Sequence, residues 1–115
     1  MNEFNEPKVE KDISNGTLSL SGISMMEDAI SFYKPIKEWV GEYLESSASI
    51  TLDFNLEYFN SSSAKQIIQL ISKLEESNAT GKVIWRYPAD EIILYERGKE
   101  LEAILDVNFE FIEIF

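Results

Sequence analysis

Residues 50–76 read ITLDFNLEYFNSSSAKQIIQLISKLEE, and two periods meet inside them. Ile50, Leu52, Phe54 and Leu56 alternate with Thr51, Asp53, Asn55 and Glu57 before Tyr58 and Phe59, which is the period of two of a strand with one buried face. Ile67, Ile68, Ile71 and Leu74 then supply one helical face, and Ser77-Asn78-Ala79-Thr80-Gly81 ends that helix. Between the two periods stands Asn60-Ser61-Ser62-Ser63. The unit is strand, tight loop, amphipathic helix.

The flanks repeat this grammar. Met1 to Lys8 is polar, carries Pro7 and reads as a loose end. Asn15-Gly16 is a two-residue hairpin signal, because both residues tolerate the positive φ of a type I′ turn, and it separates Val9–Ile13 from Thr17–Ser21. From Glu27 to Glu45, Ile30, Tyr33, Ile36, Val40 and Tyr43 step by three or four, with Ala29, Phe32, Trp39 and Leu44 widening the stripe. Pro35 interrupts this helix, so the spacing favours a short helical turn leading into a main helix with Pro35 in its first turn. Ser46–Ser49 links it to the central strand. Beyond Gly81, Val83-Ile84-Trp85-Arg86-Tyr87 reads as a strand stopped by Pro88, Asp90 can cap a helix running to about Leu105, and Phe109 to Phe115 is a terminal strand. Strands alternating with helices of this length imply crossover connections. The expectation is an α/β fold: one domain over residues 1–115, with an N-terminal hairpin, about three helices and a mixed, mainly parallel sheet.

Composition narrows the function. The 115 residues are 44% apolar, with seven Phe, five Tyr and two Trp, enough for a core. A formal charge of −11 repels phosphate backbones and anionic lipid over most of the surface, which argues against nucleic-acid and membrane partners. Cys and His are absent, which removes disulfides, thiolate nucleophiles, most zinc sites and the commonest general base near neutral pH. A small enzyme is therefore disfavoured, and no cofactor is implied. The first twenty residues lack a basic start followed by an apolar stretch, and no stretch approaches eighteen continuous apolar residues, so a cytoplasmic location is expected.

The serine run is the one cluster of nucleophilic side chains placed at a helix start. Unpaired N–H groups and the helix dipole can hold a phosphate there. A phosphate would add about −1.5 to −2 charges and three acceptor oxygens, enough to order a loop or repel an acidic partner. On spacing alone the plainer reading is favoured: one serine caps the helix, and Ser63 with Gln66 matches a capping box.

The segment from Thr51 to Glu76 resembles the central segment of the SiaC family of bacterial regulatory phosphoproteins, in which a strand ends in Tyr-Leu-Asn, then Thr or Ser, then Ser-Ser. The Ser21-Gly22 turn, Phe32-Tyr33-x-Pro35-Ile36-x-x-Trp39, Trp85-x-Tyr87 followed by Asp90-Glu91, and Phe109-Glu110-Phe111 extend the resemblance over most of the chain. It implies an anti-sigma-factor-antagonist (STAS-like) fold and makes Ser61, after Asn60, the phosphoacceptor, with Ser62 as fallback. Two departures stand out: well-known family members carry Thr at the position of Ser61, and classical antagonists have Asp where Asn60 stands and Gly where Ser63 stands. The resemblance further implies a partner switch set by a serine/threonine kinase and a phosphatase, with the unmodified form binding a target such as a diguanylate cyclase. The switch loop Asn60, Ser62 and Ser63 and the exposed helix start at Lys65 and Gln66 would carry the contacts. The rival is a constitutive STAS-like binding module whose serines only cap the helix.

Other groups read as structural. Glu27-Asp28, Glu42 with Glu45, Asp90-Glu91 and Glu100 with Glu102 lack a calcium-loop pattern with its turning Gly and read as solvated helix surface, so no metal site is expected. Asp53 and Glu57 lie on the polar face of a strand, away from acid–base work. Trp39, Trp85, Tyr33, Tyr87 and Tyr95 sit at core spacing rather than around a ligand. No glycine pattern cradles a phosphate, while Gly98 inside a helix points to close packing against a neighbour.

Overall fold

The computed structural model describes residues 5–77 and 79–114. Five strands, β1 (Lys8–Asp12), β2 (Thr17–Ser24), β3 (Ser49–Phe59), β4 (Thr80–Pro88) and β5 (Asn108–Ile114), form one sheet in the order β1-β2-β3-β4-β5. β1 and β2 pair antiparallel, and every later pair is parallel. The helices α1 (Ala29–Ser46), α2 (Ser61–Glu76) and α3 (Ile92–Ile104) are the crossovers. Because each parallel strand is laid beside its predecessor, right-handed crossovers put all three helices on one face. Burial follows this rule: Leu18, Leu20, Leu52, Phe54, Val83 and Trp85 are buried beneath the helices, while Thr17, Ser19, Thr51, Asp53, Ile84 and Arg86 stay half-exposed on the other face. There Arg86 grips Asp53 through two hydrogen bonds of 2.9 and 3.0 Å. The mixed α/β fold with its hairpin and three helices is thus as the sequence implied.

Several local expectations give way. The hairpin turn is not a two-residue type I′ turn: Asp12 pairs with Thr17, so Ile13 to Gly16 form a four-residue loop. Only Gly16 of that loop has positive φ, at 63°. The Asp12 carboxylate holds the loop by accepting from Ser14 Oγ (2.9 Å) and Asn15 Nδ2 (2.7 Å), which stabilises an Asn15 conformation with negative φ. These bonds also lower the Asp12 pKa.

Helix α1 runs unbroken through Pro35 instead of starting there, because Ala29, Tyr33, Ile36 and Val40 bury one continuous stripe that outweighs one missing backbone bond. Ile30, expected in that stripe, is 65% exposed. Helix α3 begins after Glu91, whose carbonyl accepts from Leu94 N–H at 3.0 Å, so Asp90 lies one residue ahead of the cap position and no side chain caps this helix. Asn78 and Phe115, expected in a helix stop and the last strand, lie outside the described residues.

One irregularity positions the site. Gly22, at φ 103°, pairs with Leu56, but Ile23 pairs with Tyr58, so Glu57 is an extra residue in β3. The bulge reverses the alternation: Tyr58 turns outward and Phe59 inward, where its ring meets Trp85 edge-on at 5.8 Å. It also brings Asn60 beside the end of β2, where its N–H donates to the Ser24 carbonyl at 3.1 Å.

Candidate functional site

All three helices begin at the same end of the sheet, beyond the carboxyl ends of β2, β3 and β4. This is the end at which open α/β sheets place their ligand-binding loops. At the start of α2 the cap is Asn60, with extended backbone, whose Oδ1 accepts from Ser63 N–H at 2.9 Å. The expected capping box of Ser63 with Gln66 does not form. Ser63 is fully buried, and its hydroxyl donates to the Ser24 carbonyl at 2.9 Å. Gln66, expected at an exposed helix start, is only 5% exposed, and its Oε1 accepts from Lys37 Nζ at 2.7 Å.

Beneath the loop lies a polar cluster that the sequence reading passed over. Ser24 Oγ donates to Ser63 Oγ at 2.8 Å and lies 2.7 Å from Tyr33 Oη, while Met26 Sδ is 3.6 Å from Ser63 Oγ. With the Ser63 proton committed to a carbonyl and the Ser24 proton to Ser63, Tyr33 is left as the donor at the head of the chain. Burial pushes the Tyr33 hydroxyl up to about 12, so it stays protonated. The signal for this cluster was present: Ser24 continues the even-numbered buried set of Leu18 and Leu20, and so is a polar residue in a core position.

Ser61 and Ser62 are different. Both are exposed, and among the described residues neither hydroxyl has a hydrogen-bond partner. With Glu27, Asp28, Ile30 and Lys65 they line an open depression of about 360 Å³ between the starts of α1 and α2. Asp28 is engaged as the α1 cap, accepting from Ser31 N–H (3.1 Å) and Ser31 Oγ (2.7 Å), bonds that lower its pKa. The N–H groups of Ser61 and Ser62, in the first turn of α2, are the donors that an anion could use. The structure thus brings together Asn60, Ser61, Ser62 and Lys65 at one surface and draws Ser63 and Gln66 inside. Among the described residues no group of three acidic side chains is gathered as cation ligands, and no helix is long and apolar enough to cross a membrane.

The model of the SiaC family of regulatory phosphoproteins matches residues 2–114. The chain belongs to the SiaC family. Its solved neighbours agree. Apo-SiaC from Pseudomonas aeruginosa superposes with a TM-score of 0.86 at 25% identity, over 95% of this chain and 92% of that one. A chain in the crystal structure of the Pseudomonas aeruginosa diguanylate cyclase SiaD in complex with its activator SiaC has the same fold, with a TM-score of 0.90 at 23% identity over 99% and 98% of the two chains. An uncharacterized protein of Pseudomonas aeruginosa strain UCBPP-PA14 is 28% identical over 109 residues, covering 91% of this chain and 85% of the relative. As a SiaC family member the chain is a regulator and not an enzyme.

Proposed function

We propose that this SiaC family protein is a phosphorylation-controlled partner switch: Ser61 is the acceptor, a serine/threonine kinase and a phosphatase set its state, and the unmodified form binds a signalling target of the diguanylate cyclase class. The reading treats residues 1–115 as one regulatory domain working in the cytoplasm, where a kinase has ATP. The observation that carries it is the division of labour in the serine run. Asn60 caps the helix and Ser63 anchors it, so the rival module with capping serines leaves Ser61 and Ser62 without a role, although both stand solvated at a helix N-terminus. A phosphate on Ser61 would meet the open N–H groups of α2 and would add negative charge beside Glu27 and Asp28 in the same depression. Membership of a family of regulatory phosphoproteins supports the same function, as does the Pseudomonas aeruginosa complex of the cyclase SiaD with its activator SiaC.

The test is mass spectrometry of the chain after reaction with ATP and a candidate serine/threonine kinase of the same organism. A single added phosphate that disappears in Ser61→Ala is expected. A phosphate retained in Ser61→Ala but lost in Ser62→Ala moves the acceptor by one residue, and no phosphate on either serine sinks the switch.

A further inference from the structure

The two outer strands close the sheet differently. β1 is five residues long, reads Lys8-Val9-Glu10-Lys11-Asp12 and puts all its charged side chains in water, a common guard of an open edge. β5 is longer, reads Asn108-Phe109-Glu110-Phe111-Ile112-Glu113-Ile114, and carries neither Lys, Pro nor a bulge. One bond fixes the direction of its open groups: the Ile114 carbonyl accepts from Ala89 N–H at 3.1 Å and so faces β4. Backbone polar groups alternate sides along a strand, and β5 keeps a regular register from Asn108 to Ile114. The N–H and C=O groups of Phe109, Phe111 and Glu113 therefore face away from β4. On the helix face of this edge runs a row of half-buried rings, Tyr87, Tyr95, Phe111 and Phe109, with successive centroids 5.0, 5.3 and 5.9 Å apart. Among the described residues no strand pairs beyond them.

We propose that β5 pairs with β5 of a second copy of this chain, antiparallel and two-fold symmetric about Phe111. In that register Phe111 faces Phe111 and Phe109 faces Glu113, the residues whose backbone groups are open, so each of those N–H and C=O groups finds a partner. Carboxylates never oppose one another, since Glu110 faces Ile112 and Glu113 faces Phe109. The two rows of rings meet at the axis, where Phe111 forms an aromatic cross-strand pair of the kind in which interfaces are enriched. Lys99, whose ammonium lies 4.9 Å from the Phe111 ring centre and 2.7 Å from Glu102, stands on the same face as Glu113. Lys82 holds Glu110 on the other face at 2.8 Å, so cations are interspersed with the carboxylates along the seam. The register selects a second copy over an unrelated strand, because the same seven residues supply both halves of an isologous match. Ser61 follows β3, two strands inside the sheet, so pairing leaves it open and carries the two switch loops to opposite ends of one continuous sheet.

The test is sedimentation velocity of the purified chain across a dilution series in about 0.15 M salt, where repulsion between two acidic chains is screened beyond about 8 Å. A reversible shift from 13.2 kDa toward twice that mass is expected as concentration rises. Hydrogen exchange on the same samples is expected to show the amides of Phe109, Phe111 and Glu113 gaining protection with concentration while those of β1 do not. Glu113→Pro removes an outward donor but no bond to β4, and roughly tenfold weakening of the dimer is expected. Lys99→Glu, at an exposed helix position, replaces the cation near the axis by a carboxylate and is expected to weaken the dimer with the thermal midpoint little changed. A monomer at every concentration, a dimer whose protected amides lie outside β5, or a dimer that survives both substitutions would overturn the proposal. Ser61→Ala is expected to dimerise as the unmodified chain does, so this result and the phosphate result stand separately.

Discussion

Ser63 Oγ lies 2.9 Å from the carbonyl oxygen of Ser24, thirty-nine residues earlier, and this bond fastens the start of α2 to the end of β2. The same carbonyl accepts from Asn60 N–H, so the loop carrying Ser61 and Ser62 is held from both sides and its exposed hydroxyls are set in place by buried ones. Ser63→Ala removes that donor and the acceptor of Ser24 Oγ, and a loss of about 1–2 kcal/mol of stability in urea unfolding is expected. Ser63→Asp places a carboxylate against a carbonyl oxygen in a dry site and is expected to cost several times more. Ser61→Asp, exposed at a helix N-terminus, is expected to be neutral or stabilising by up to about 1 kcal/mol. Near-equal effects of Asp at 61 and 63 would contradict the burial of Ser63.

The Asn60 side chain accepts from Ser63 N–H through Oδ1 and, among the described residues, makes no other hydrogen bond. Asn60→Ala is expected to cost about 1 kcal/mol, the worth of a helix cap, and Asn60→Asp to retain the cap with its charge favourably placed near the dipole. The antagonist-like Asp at this position is thus structurally permitted. Chemical denaturation of the two variants side by side checks the difference.

Gly98 faces Trp85 so closely that a Cβ there would stand 2.5 Å from Trp85 Cδ1 and 2.8 Å from Phe111 Cε2. The gain in helix propensity on going to Ala is about 1 kcal/mol, whereas overpacking a core costs about 1–3 kcal/mol. Gly98→Ala is therefore expected to destabilise by up to about 2 kcal/mol. Trp85 Nε1 donates to the Leu94 carbonyl at 2.9 Å, so displacement of the indole should also shift tryptophan emission, which thermal melts followed by fluorescence would record together.

These results show where the sequence was readable. The strand–loop–helix unit at 50–76 was, because two hydrophobic periods meet there and nothing competes with them. Its bulge was not: an extra residue at Glu57 leaves Tyr58-Phe59 looking like the end of a regular strand, and only pairing with Gly22 reveals which ring turns in. The division of the serine run was hidden for the same reason. A capping-box spacing places Ser63 at the cap, yet the register beside β2 carries Asn60 there and Ser63 into the core. Pro35 misled in the opposite direction, since local preference opposed a helix that burial of Tyr33, Ile36 and Val40 maintains.

That tension can be measured. Pro35 supplies no N–H to the Ser31 carbonyl, and it is exposed, so its ring contributes little packing. Pro35→Ala restores the helical bond, offset by the greater entropy of the unfolded chain, and a net gain of about 1–2 kcal/mol is expected. A loss of stability would mean that the ring fixes the approach of α1 to the site. Urea unfolding of the two proteins side by side checks the sign.

Tyr33 makes the buried cluster sensitive to alkali. Its hydroxyl ionises at about 12 in the folded protein and near 10 when unfolded, so between those values the unfolded chain has lost a proton that the native one retains. Stability is thus fully present below about pH 10 and declines as pH rises toward about 12, the sign expected for a group whose neutral form is the one that fits. Tyr33→Phe should lower stability near neutrality by about 1 kcal/mol, through loss of the hydrogen bond with Ser24, yet flatten this alkaline decline. Urea midpoints of the two proteins from about pH 8 to beyond about pH 11 would show the curves converging. Parallel curves would place the alkaline sensitivity elsewhere and leave Tyr33 without control over the anchor of Ser63.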